Sequence, residues 1–583
     1  MHRLFALTRF LIGLLLLLIA TPSRADDVLS IRHVTVIDPE SMSVKHRQRV
    51  TIRHGKITAL SADNATALGQ NEIDGQHKFL IPGLIDMHVH TALGHFSDSS
   101  LRLQLLNGVT GIREMSGDCW VTPSVYACIE QYRQLQRDLD AGKMLGPRLL
   151  SIASAFVKHP NSAQLPASAP GYFAPTTGAQ AAQLVAYLKP RGVDLIKSYD
   201  DMPADAYYAL LAAAKSAGIE VSGHVPYVAD VVTAVQHGHR SIEHAQSIPL
   251  DCSDYAAQFH QIVQATLAGD KTVKWPSDAE RLRFTIDGFN PGKCASLLRE
   301  LKQHNAYYVP THMTREMEAR ASDTAYQHNV HLNYVMPALK AMWQPDLQKT
   351  ANANDEMRKQ YRRFFDHGLM ITRLAHEAGV AIMLGTDSND TMVIPGFSVH
   401  SEMQHLHKAG LKPMDVLRAA TTIPARYVGQ QNEMGGIAVG KRADLVLLTA
   451  DPLLDIRNTG AIDSVIINGR VYDQNQRTTL LQQIAAQASA APKSVTVAAT
   501  LLQEYEGRYV VPSSQLPITI KATADSISAT APGMPVINFL AESDTLFFMK
   551  EDLTKFEFLR VDGKINALRV LWANGKSEIA ARQ

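Results

Sequence analysis

The fold class is decided by residues 193–245, which read VDLIKSYDDMPADAYYALLAAAKSAGIEVSGHVPYVADVVTAVQHGHRSIEHA. Short apolar runs alternate in this stretch with Ala- and Leu-rich segments of helical length, at 193–199, 204–217, 219–225, 229–237 and 240–245. This strand-helix rhythm predicts a parallel sheet, because parallel neighbours need a long crossover connection. The nearly continuous apolar character of the short runs is typical of strands that are buried on both faces.

The same rhythm continues beyond this stretch. Further apolar runs follow at 307–311 and 380–385. An α/β fold, a (β/α)8 TIM barrel with insertions, accommodates this order and length, and we place it over residues 79–430. The largest insertion, 313–367, is polar and contains Trp343. We expect the insertion to cap the mouth of the barrel or to pack beside it.

Segments rich in β-forming residues lie before and after the predicted barrel. They occupy 28–37, 48–60, 443–448 and 464–472. Their partly alternating polarity is typical of strands with one buried face. We expect the returning chain to complete one accessory β-sandwich, built from residues 26–78 and 431–478.

The C-terminal region changes character twice. Residues 480–494 are rich in Ala, Gln and Ser and lack an apolar stripe, so we interpret 479–496 as a linker. Short aromatic-rich runs then surround the turn dipeptides Asp562-Gly563 and Asn574-Gly575. These features predict a separate small β domain over residues 497–583.

The composition excludes some classes of protein. Hydrophobic residues make up 46% of the 583 residues and charged residues 19%, so the chain has ample material for buried cores. Lys+Arg 57 against Asp+Glu 56 gives a formal net charge of +1, without a long run of one sign. A nucleic-acid partner therefore has no electrostatic basis, and a small-molecule or short peptide substrate is favoured. Whether the chain forms a homo-oligomer is left open.

The first 25 residues have the pattern of a signal peptide. Arg3 and Arg9 form a basic start, an apolar run follows over 10–20, and the small residues Ser23 and Ala25 stand at cleavage spacing. The run is about half of the roughly 20 residues that span a bilayer, so we expect cleavage and no permanent membrane anchor. An uncleaved anchor is the alternative. The predicted location is periplasmic or secreted.

Export affects how the four cysteines are interpreted. An oxidising compartment permits disulfides. Proximity in sequence favours Cys119–Cys128 and Cys252–Cys294 among the three pairings that four cysteines allow. Buried free thiols are the alternative, and the chain has no CxxC zinc pattern.

Chemically capable side chains stand where several predicted strands end. His88 and His90 follow the apolar run FLIPGLIDM (79–87), and alternation along a strand directs both side chains to the same side. Four further strand ends carry Lys197, His224, His244 and Asp387. Any one of these is unremarkable alone, but together they lie at the carboxyl ends of parallel strands, where barrel enzymes place their chemistry.

Further motifs occur in the order found in one family. They are Pro82-Gly83-Leu84-Ile85-Asp86, Asn107-Gly108-Val109-Thr110 with Arg113, Gly385-Thr386-Asp387, Ala419-Ala420-Thr421 before Pro424-Ala425-Arg426, and Gly440-Lys441-Arg442-Ala443-Asp444. From about residue 28 to 475 the chain resembles the amidohydrolase superfamily, and more closely its imidazolonepropionase-like and prolidase-like (Xaa-Pro dipeptidase-like) members.

The resemblance implies a binuclear metal centre. His88 and His90 would hold one divalent ion together with Asp387, and His224 and His244 would hold a second. Lys197 matches the family's bridging lysine, which becomes an N6-carboxylysine because an ammonium cannot bind a cation. Imidazole and oxygen ligands suit Zn²⁺. The alternatives are a surface lysine or one paired with Asp200, which would leave a mononuclear site.

The implied reaction is hydrolysis of a peptide-like amide in dipeptides, Xaa-Pro dipeptides or N-acyl amino acids. Water between two cations loses a proton near neutral pH and attacks the carbonyl. Asp387 would act as general base and then as general acid toward the leaving nitrogen. A purely structural Asp387, capping a helix, is the alternative.

The residues that contact the substrate are less strongly indicated. Tyr199 and Tyr227 lie just beyond Lys197 and His224, where a phenol can donate to an oxyanion, and packing or exposure at the rim is the alternative. His159, His312 and His400 are further candidates for substrate binding. At His159 the chain reads Lys158-His159-Pro160, where prolidase-like relatives often have a glycine- and histidine-containing stretch.

Two other functions remain open. A lactonase or esterase would use the same metal site, and a non-catalytic exported binding protein would retain the barrel as a relic. The C-terminal β domain, with Tyr505-Glu506-Gly507-Arg508-Tyr509 near its start, resembles small lipocalin-like domains of secreted hydrolases. It has no ligand cluster, so we expect an accessory role for it.

Overall fold

The computed structural model describes residues 28–65, 67–91, 97–119, 127–163, 165, 169–490, 494–512, 515–532, 536–549, 554–572 and 577–583. The predicted signal peptide and the turn predicted at Asn574-Gly575 lie outside these residues. Within them, no helix combines the length and the apolar character that crossing a membrane requires.

The strands are β1 (Leu29–Asp38), β2 (Ser43–Arg53), β3 (Lys56–Ala62), β4 (Glu72–Asp74), β5 (Phe79–Pro82), β6 (Leu84–Val89), β7 (Val109–Glu114), β8 (Arg148–Ile152), β9 (Leu195–Ser198), β10 (Glu220–Gly223), β11 (His239–Glu243), β12 (Tyr307–Val309), β13 (Ala381–Ile382), β14 (Leu445–Leu448), β15 (Ile462–Ile467), β16 (Arg470–Tyr472), β17 (Gly507–Val511), β18 (Leu516–Ala522), β19 (Ile527–Thr530), β20 (Ile537–Ala541), β21 (Leu546–Met549), β22 (Lys555–Val561), β23 (Lys564–Leu571) and β24 (Ser577–Arg582).

The α-helices are α1 (Ser97–Leu106), α2 (Ile129–Asp140), α3 (Pro160–Ala163), α4 (Gly178–Arg191), α5 (Ala204–Ala217), α6 (Val231–Gln236), α7 (Ser247–Asp251), α8 (Ala256–Leu267), α9 (Asp278–Asp287), α10 (Pro291–Gln303), α11 (His312–Arg320), α12 (Thr324–Gln327), α13 (Pro337–Ala351), α14 (Asp355–Glu377), α15 (Phe397–Lys408), α16 (Pro413–Ala419), α17 (Thr422–Tyr427), α18 (Gln474–Ser489) and α19 (Ala499–Glu504). Short 3-10 turns occupy Gly171–Phe173, Val330–Tyr334 and Ile456–Gly460.

The N-terminal strands and the strands that follow residue 440 form one sheet. Its order is β16-β15-β14-β5-β1-β2-β3, with β4 paired to β1. β14 runs antiparallel to β5, with Leu447 opposite Leu80. Alternate apolar side chains such as Ile31 and Val50 are fully buried in its core. The returning chain therefore completes the early β layer, as the sequence predicts.

The middle of the chain contains two parallel sheets. The three-stranded sheet has the order β6-β7-β8, and the five-stranded sheet has the order β13-β12-β11-β10-β9. Parallel bridges from Ala153 to Leu195 and from Val89 to Ser388 connect the two sheets at both of their edges. The parallel pairing predicted for 193–245 is confirmed by β9, β10 and β11. The carboxyl ends of all eight strands therefore lie on the same side of the two connected sheets.

The helix α5 shows why the crossover segments form as predicted. Its residues are mostly Ala, Leu and Tyr, and its buried face packs with Leu210, Leu211 and Ala214 against the sheet. Gly218 ends the helix with φ 67°, a left-handed conformation that glycine adopts without a steric penalty. The chain can thus turn directly into β10.

The insertion forms α11, α12, α13 and α14. Its interior is an apolar cluster that includes Met317, Leu339 and Trp343. The 23-residue α14 begins at the Asn354 cap, whose side chain accepts a hydrogen bond from the Met357 amide. The insertion is therefore a packed layer rather than a loose loop.

The linker prediction for residues 479–496 is wrong over most of its length. Residues 474–489 form α18, which starts with a capping box between Asp473 and Gln476. Ile484 packs against Leu103 and Leu106, and only Ile484 and Ala488 are buried. Contact through so few side chains explains why no apolar stripe is visible in the sequence.

The C-terminal β domain is a closed antiparallel barrel of β17 to β24. Aromatic rings fill its interior, with Tyr505 stacked on Phe558 and Phe539 stacked on Phe556. Closure gives each of these strands a neighbour on both sides. The lipocalin-like interpretation of this domain stays a prediction.

Both favoured disulfides are confirmed. Cys119 is bonded to Cys128 just before α2, and Cys252 is bonded to Cys294 between the end of α7 and α10. Among the described residues no cysteine is free.

Candidate metal centre and active site

The six residues predicted to bind metal all come from the carboxyl ends of the parallel strands. His88 lies in β6 and Lys197 in β9, whereas the other four follow β6, β10, β11 and β13. The side chain of Asp387 is the meeting point. Its Oδ1 lies 2.9 Å from His90 Nε2 and 3.4 Å from His88 Nε2, and its Oδ2 lies 3.7 Å from His244 Nδ1.

The side chain of Lys197 lies beneath this group of ligands. Its Nζ lies 3.1 Å from His88 Nε2, and both side chains are buried. Within the described part of the chain, His88, His244 and Asp387 form the group whose ligand atoms all lie within 4.8 Å of one another, close enough to hold a metal ion. His224 is adjacent, with its ring centroid 4.6 Å from that of His244.

Backbone conformation brings these side chains together. His244 and Asp387 have φ 67°, a left-handed conformation that is costly for residues with a Cβ and common at functional sites. Two glycines allow neighbouring strands to approach closely at the site. A Cβ on Gly385 would lie 2.9 Å from His88 Cβ, and a Cβ on Gly223 would lie 2.5 Å from the Ser198 carbonyl oxygen. Glycine is therefore required at both positions.

Each of the four histidines is anchored through Nδ1. The partners are Glu243 for His88, Ser116 for His90, Asp200 for His224 and Thr311 for His244, each at 2.7 Å. Such anchoring is typical of metal-binding histidines, whose second ring nitrogen bonds a carboxylate or another polar group. The pattern leaves Nε2 of His88 and His90 directed at Asp387.

The electrostatics fit a cation. Burial opposes ionisation of Asp387, but His88, His90 and His244 outweigh it and hold its pKa well below the usual range. Its buried Oδ1 nevertheless accepts no hydrogen bond of normal geometry from the described residues. A negatively charged oxygen without a donor, set among buried imidazoles, is the donor set that a divalent metal ion needs.

Burial also changes the protonation of the neighbouring groups. It lowers the pKa of Lys197 to about 8, against the opposing influence of Glu243 and Asp387. It lowers the pKa of His88 and His244 well below the ordinary value, with Lys197 and His224 respectively adding to the effect. Asp390, which lines the cavity close to Asp387, has its pKa raised to about 7 by desolvation and by the charge of Asp387. For His88 and His244 the lowered pKa favours the neutral imidazole, the form that binds metal.

A cavity of about 400 Å³ opens above this group. Its lining includes His90, Lys197, His224, His244 and Asp387 from the strand ends, together with Phe156, Tyr199, Asp200, Gln246, Asn389, Asp390 and Thr391. The insertion contributes Thr314, Arg315, Met342 and Trp343. Trp343 Nε1 donates to the Asn389 carbonyl oxygen at 2.8 Å, which ties the insertion to the loop that follows Asp387. The insertion thus covers the strand ends, as the sequence predicts.

The two tyrosines differ in position. Tyr199 lines the cavity and stacks on His224, with ring centroids 4.2 Å apart. Tyr227 contacts the cavity lining indirectly, through Gln246. Its hydroxyl accepts a hydrogen bond from Gln246 Nε2 at 2.5 Å, and Gln246 lines the cavity. Burial raises the pKa of Tyr227 far above the ordinary value, so its hydroxyl stays protonated.

The structure does not bring the three further histidines to the cavity. Both ring nitrogens of His400 are used inside the protein, by Thr459 and the Asn107 carbonyl. His312 is fully buried and bonds Thr372. His159 lies outside the described lining, where its backbone amide donates to Asp201. The expectation that His312 and His400 contact substrate is corrected, because both rings are buried and bonded away from the cavity. Substrate contact by His159 stays a prediction.

Sequence reasoning missed the residues that anchor the histidines. Ser116 and Thr311 each follow a strand closely, and Glu243 immediately precedes His244. Alternation would direct Glu243 and His244 to opposite sides of the strand, but the left-handed conformation of His244 breaks the alternation, so the sequence does not show which residue Glu243 meets. The sequence presents Trp343 only as part of the insertion.

Comparison with known proteins gives a family match for part of the chain. The amidohydrolase family model matches residues 201–472. The predicted resemblance to this superfamily is confirmed over that segment. Imidazolonepropionase from Streptococcus pyogenes serotype M2 (strain MGAS10270) is 38% identical over 79 residues, which are 13% of this chain and 18% of the relative. The chain thus spans about a fifth of the length of the curated relatives it matches.

Solved structures resemble a larger share of the chain. A bottromycin amidohydrolase aligns with TM-score 0.61 and 22% identity, covering 80% of this chain and 92% of that one. A Xaa-Pro dipeptidase with bound methionine in its active site aligns with TM-score 0.55 and 18% identity, covering 76% and 100%. A prolidase complexed with N-methylphosphonate-L-proline aligns with TM-score 0.52 and 19% identity, covering 76% and 99%. At these identities the likeness is one of fold.

Proposed function

We propose, from the amidohydrolase family match of residues 201–472, that the protein is an exported metal-dependent hydrolase that cleaves peptide-like amide bonds in small substrates. The observation that carries the proposal is the convergence of His88, His90, Lys197, His244 and Asp387 beneath one cavity. We take the eight parallel strands β6 to β13 to be a (β/α)8 barrel, since enzymes of that fold place their chemistry at the carboxyl ends of the strands.

The division of the metal ligands in this proposal follows the family resemblance, and the anchoring of the rings supports it. His88, His90 and Asp387 would hold one divalent ion, and His224 and His244 would hold a second. Imidazole and carboxylate donors suit Zn²⁺. When bound, the ions polarise the substrate carbonyl and lower the pKa of water to about 7.

Lys197 joins the two sites in this proposal as a carbamate. Its pKa of about 8 leaves a substantial fraction of the amine neutral near neutral pH, and only the neutral amine reacts with carbon dioxide. In that reaction the nitrogen of the neutral amine bonds the carbon of carbon dioxide and releases one proton, so the neutral side chain becomes an anionic carbamate. The buried position of Lys197 favours this change, because loss of contact with water disfavours the ammonium relative to the neutral amine.

Asp387 moves the proton in the reaction. Its low pKa keeps it ionised, so it accepts a proton from the attacking water and then gives it to the leaving nitrogen. An amine leaves poorly without that proton. Tyr199, which lines the cavity, is the hydroxyl placed to donate to the oxyanion, and Tyr227 orients Gln246.

The size of the cavity sets the substrate class. About 400 Å³ accommodates a dipeptide or an N-acyl amino acid, within the range usual for small-molecule sites. The insertion covers the opening with Arg315 and Trp343, which excludes a folded protein. The prolidase and Xaa-Pro dipeptidase fold relatives support dipeptides as the first substrates to examine.

Export is part of the proposal. The disulfides Cys119–Cys128 and Cys252–Cys294 support it, because stable disulfides form in oxidising compartments. The signal-peptide pattern of residues 1–25 supplies the route.

The test is a panel of dipeptides, Xaa-Pro dipeptides, N-acyl amino acids and lactones, assayed with the zinc-loaded protein. We expect the amide substrates to be cleaved. Efficient lactone cleavage without amide turnover would replace the proposal with a lactonase, and cleavage of intact folded proteins would contradict the role of the insertion. The absence of turnover on the whole panel would favour a binding protein.

A further inference from the structure

A fully buried ion pair lies beneath the metal centre. Arg113 Nη2 donates to Glu243 Oε1 at 2.8 Å, and neither side chain has exposed surface. Neither residue is among the described residues that line the cavity. The two residues come from β7 and β11, so the pair spans the interior of the strand layer.

Stability does not account for this pair. Removing two charges from water costs several kcal/mol for each ion, and a buried ion pair seldom recovers more than an apolar pair of the same volume would. Arg113 is not fully satisfied either. Its Nε donates to the Met87 carbonyl at 2.5 Å, but its buried Nη1 has no hydrogen-bond partner among the described residues. The pair therefore costs free energy of folding, and the other contacts of Glu243 indicate its role.

The second oxygen of Glu243 reaches His88. Glu243 Oε2 lies 2.7 Å from His88 Nδ1, whereas Oε1 accepts from both Arg113 Nη2 and Ser241 Oγ. With two donors already on Oε1, the carboxylate of Glu243 is placed as an acceptor, and Oε2 accepts from Nδ1 of His88 as the ring nitrogen that carries the proton. The lone pair then lies on Nε2, the nitrogen that is 3.1 Å from Lys197 Nζ and 3.4 Å from Asp387 Oδ1.

We infer that Arg113 and Glu243 are positioning residues that fix the tautomer of His88, with Arg113 holding Oε1 of Glu243 so that Oε2 faces His88 Nδ1 and His88 Nε2 is free to bind the metal. This inference rests on the proposed metal centre. It assigns a task to Arg113, which the sequence presents only as part of a motif. It also predicts that an acceptor oxygen facing His88 Nδ1, rather than the volume of the pair, determines metal affinity.

The first test is Glu243→Gln, which is isosteric and uncharged. Arg113 Nη2 and Ser241 Oγ both donate toward Oε1, so the amide oxygen takes that place and the amide NH2 faces His88 Nδ1. The proton of His88 is then forced onto Nε2. We expect Zn²⁺ affinity, measured by competition with a chromophoric chelator, to fall about 10- to 100-fold, the usual effect of losing an outer partner of a metal ligand.

The second test is the double variant Arg113→Met with Glu243→Gln. Without the guanidinium, the amide introduced by Glu243→Gln can turn its oxygen to His88 Nδ1 and restore the original tautomer. We expect the double variant to recover most of the affinity that Glu243→Gln loses. A role of the pair in packing alone predicts the opposite, since two substitutions in a core then cost at least as much as one.

Arg32→Met provides a matched control. Arg32 forms a buried ion pair with Asp63 in the N-terminal sheet, far from the cavity in the fold. We expect this variant to lose stability and to keep the metal affinity of the wild type. Thermal unfolding of all four proteins separates the two effects.

The tautomer itself can be measured in the wild-type protein. In the full-length protein, labelled with ¹⁵N-histidine and freed of metal, we expect the His88 ring nitrogens to show the Nδ1–H tautomer, with the signal assigned from His88→Gln. An Nε2–H tautomer would overturn the inference, and so would unchanged affinity in Glu243→Gln. If the wild type binds no metal, the proposed function fails first. If it binds metal and the tautomer is wrong, only the positioning role fails.

Discussion

The amine nitrogen of Lys197 lies 3.1 Å from Nε2 of His88, although the two residues are 109 positions apart in the chain. Both are buried where β6 and β9 end. Burial disfavours the charged ammonium and lowers the pKa of Lys197 to about 8, so the neutral amine is accessible near neutral pH. This contact therefore leads directly to the first two predictions.

Lys197→Ala should lose metal and turnover together, because the bridge between the two ion sites is removed. Short carboxylates such as propionate should restore part of the activity by occupying the place of the carbamate. Metal content and kcat are measured with and without the added acid. Lys215→Ala, on the exposed face of α5, is the control and should behave as the wild type. Wild-type turnover in Lys197→Ala would contradict the bridging role.

The stability of the metal-free protein should rise with pH above 8 because of Lys197. Its folded pKa of about 8 lies below the ordinary value of 10.5, so between these values the unfolded chain binds a proton that the folded chain does not. The contribution of this group is about 1.4 kcal/mol per pH unit over that interval. Urea unfolding at several pH values, compared with Lys197→Met, isolates it. Identical slopes for the two proteins would show that Lys197 keeps an ordinary pKa or is already modified.

Asp387→Asn should keep the fold and most of the metal while kcat falls by about 10² or more, the usual contribution of a positioned acid-base group. The amide cannot accept the proton of the attacking water. Steady-state kinetics and metal analysis on the same sample measure both quantities. An unchanged kcat would remove Asp387 from proton transfer.

Trp343→Ala should widen the range of substrates. The indole is almost fully buried, lines the cavity and donates to the Asn389 carbonyl, so its loss opens the roof beside Asp387. We expect kcat/KM for tripeptides to rise relative to dipeptides, at a cost of about 3–5 kcal/mol in stability. Trp275→Ala, at a half-exposed tryptophan, is the control. An unchanged ratio of the two kcat/KM values would show that the roof does not select by size.

Residues whose function depends on where a strand ends could be predicted from the sequence. His88, Lys197, His244 and Asp387 meet because parallel strands present their carboxyl ends on one side. Arg113 and Glu243 could not be paired in the same way, since their contact depends on which strands face each other across the interior. The interactions of His312 and His400 likewise depend on the direction that each side chain takes. The helix α18 was missed because two buried residues suffice to dock it.

The proposed function depends above all on two metal ions held at the strand ends. Elemental analysis of the purified full-length protein tests this most directly. We expect about two divalent ions per chain, with loss of both ions and of activity after chelation. Protein that purifies without stoichiometric metal and binds none when Zn²⁺ is added would contradict the metal centre, and full activity with a single ion would contradict its binuclear form.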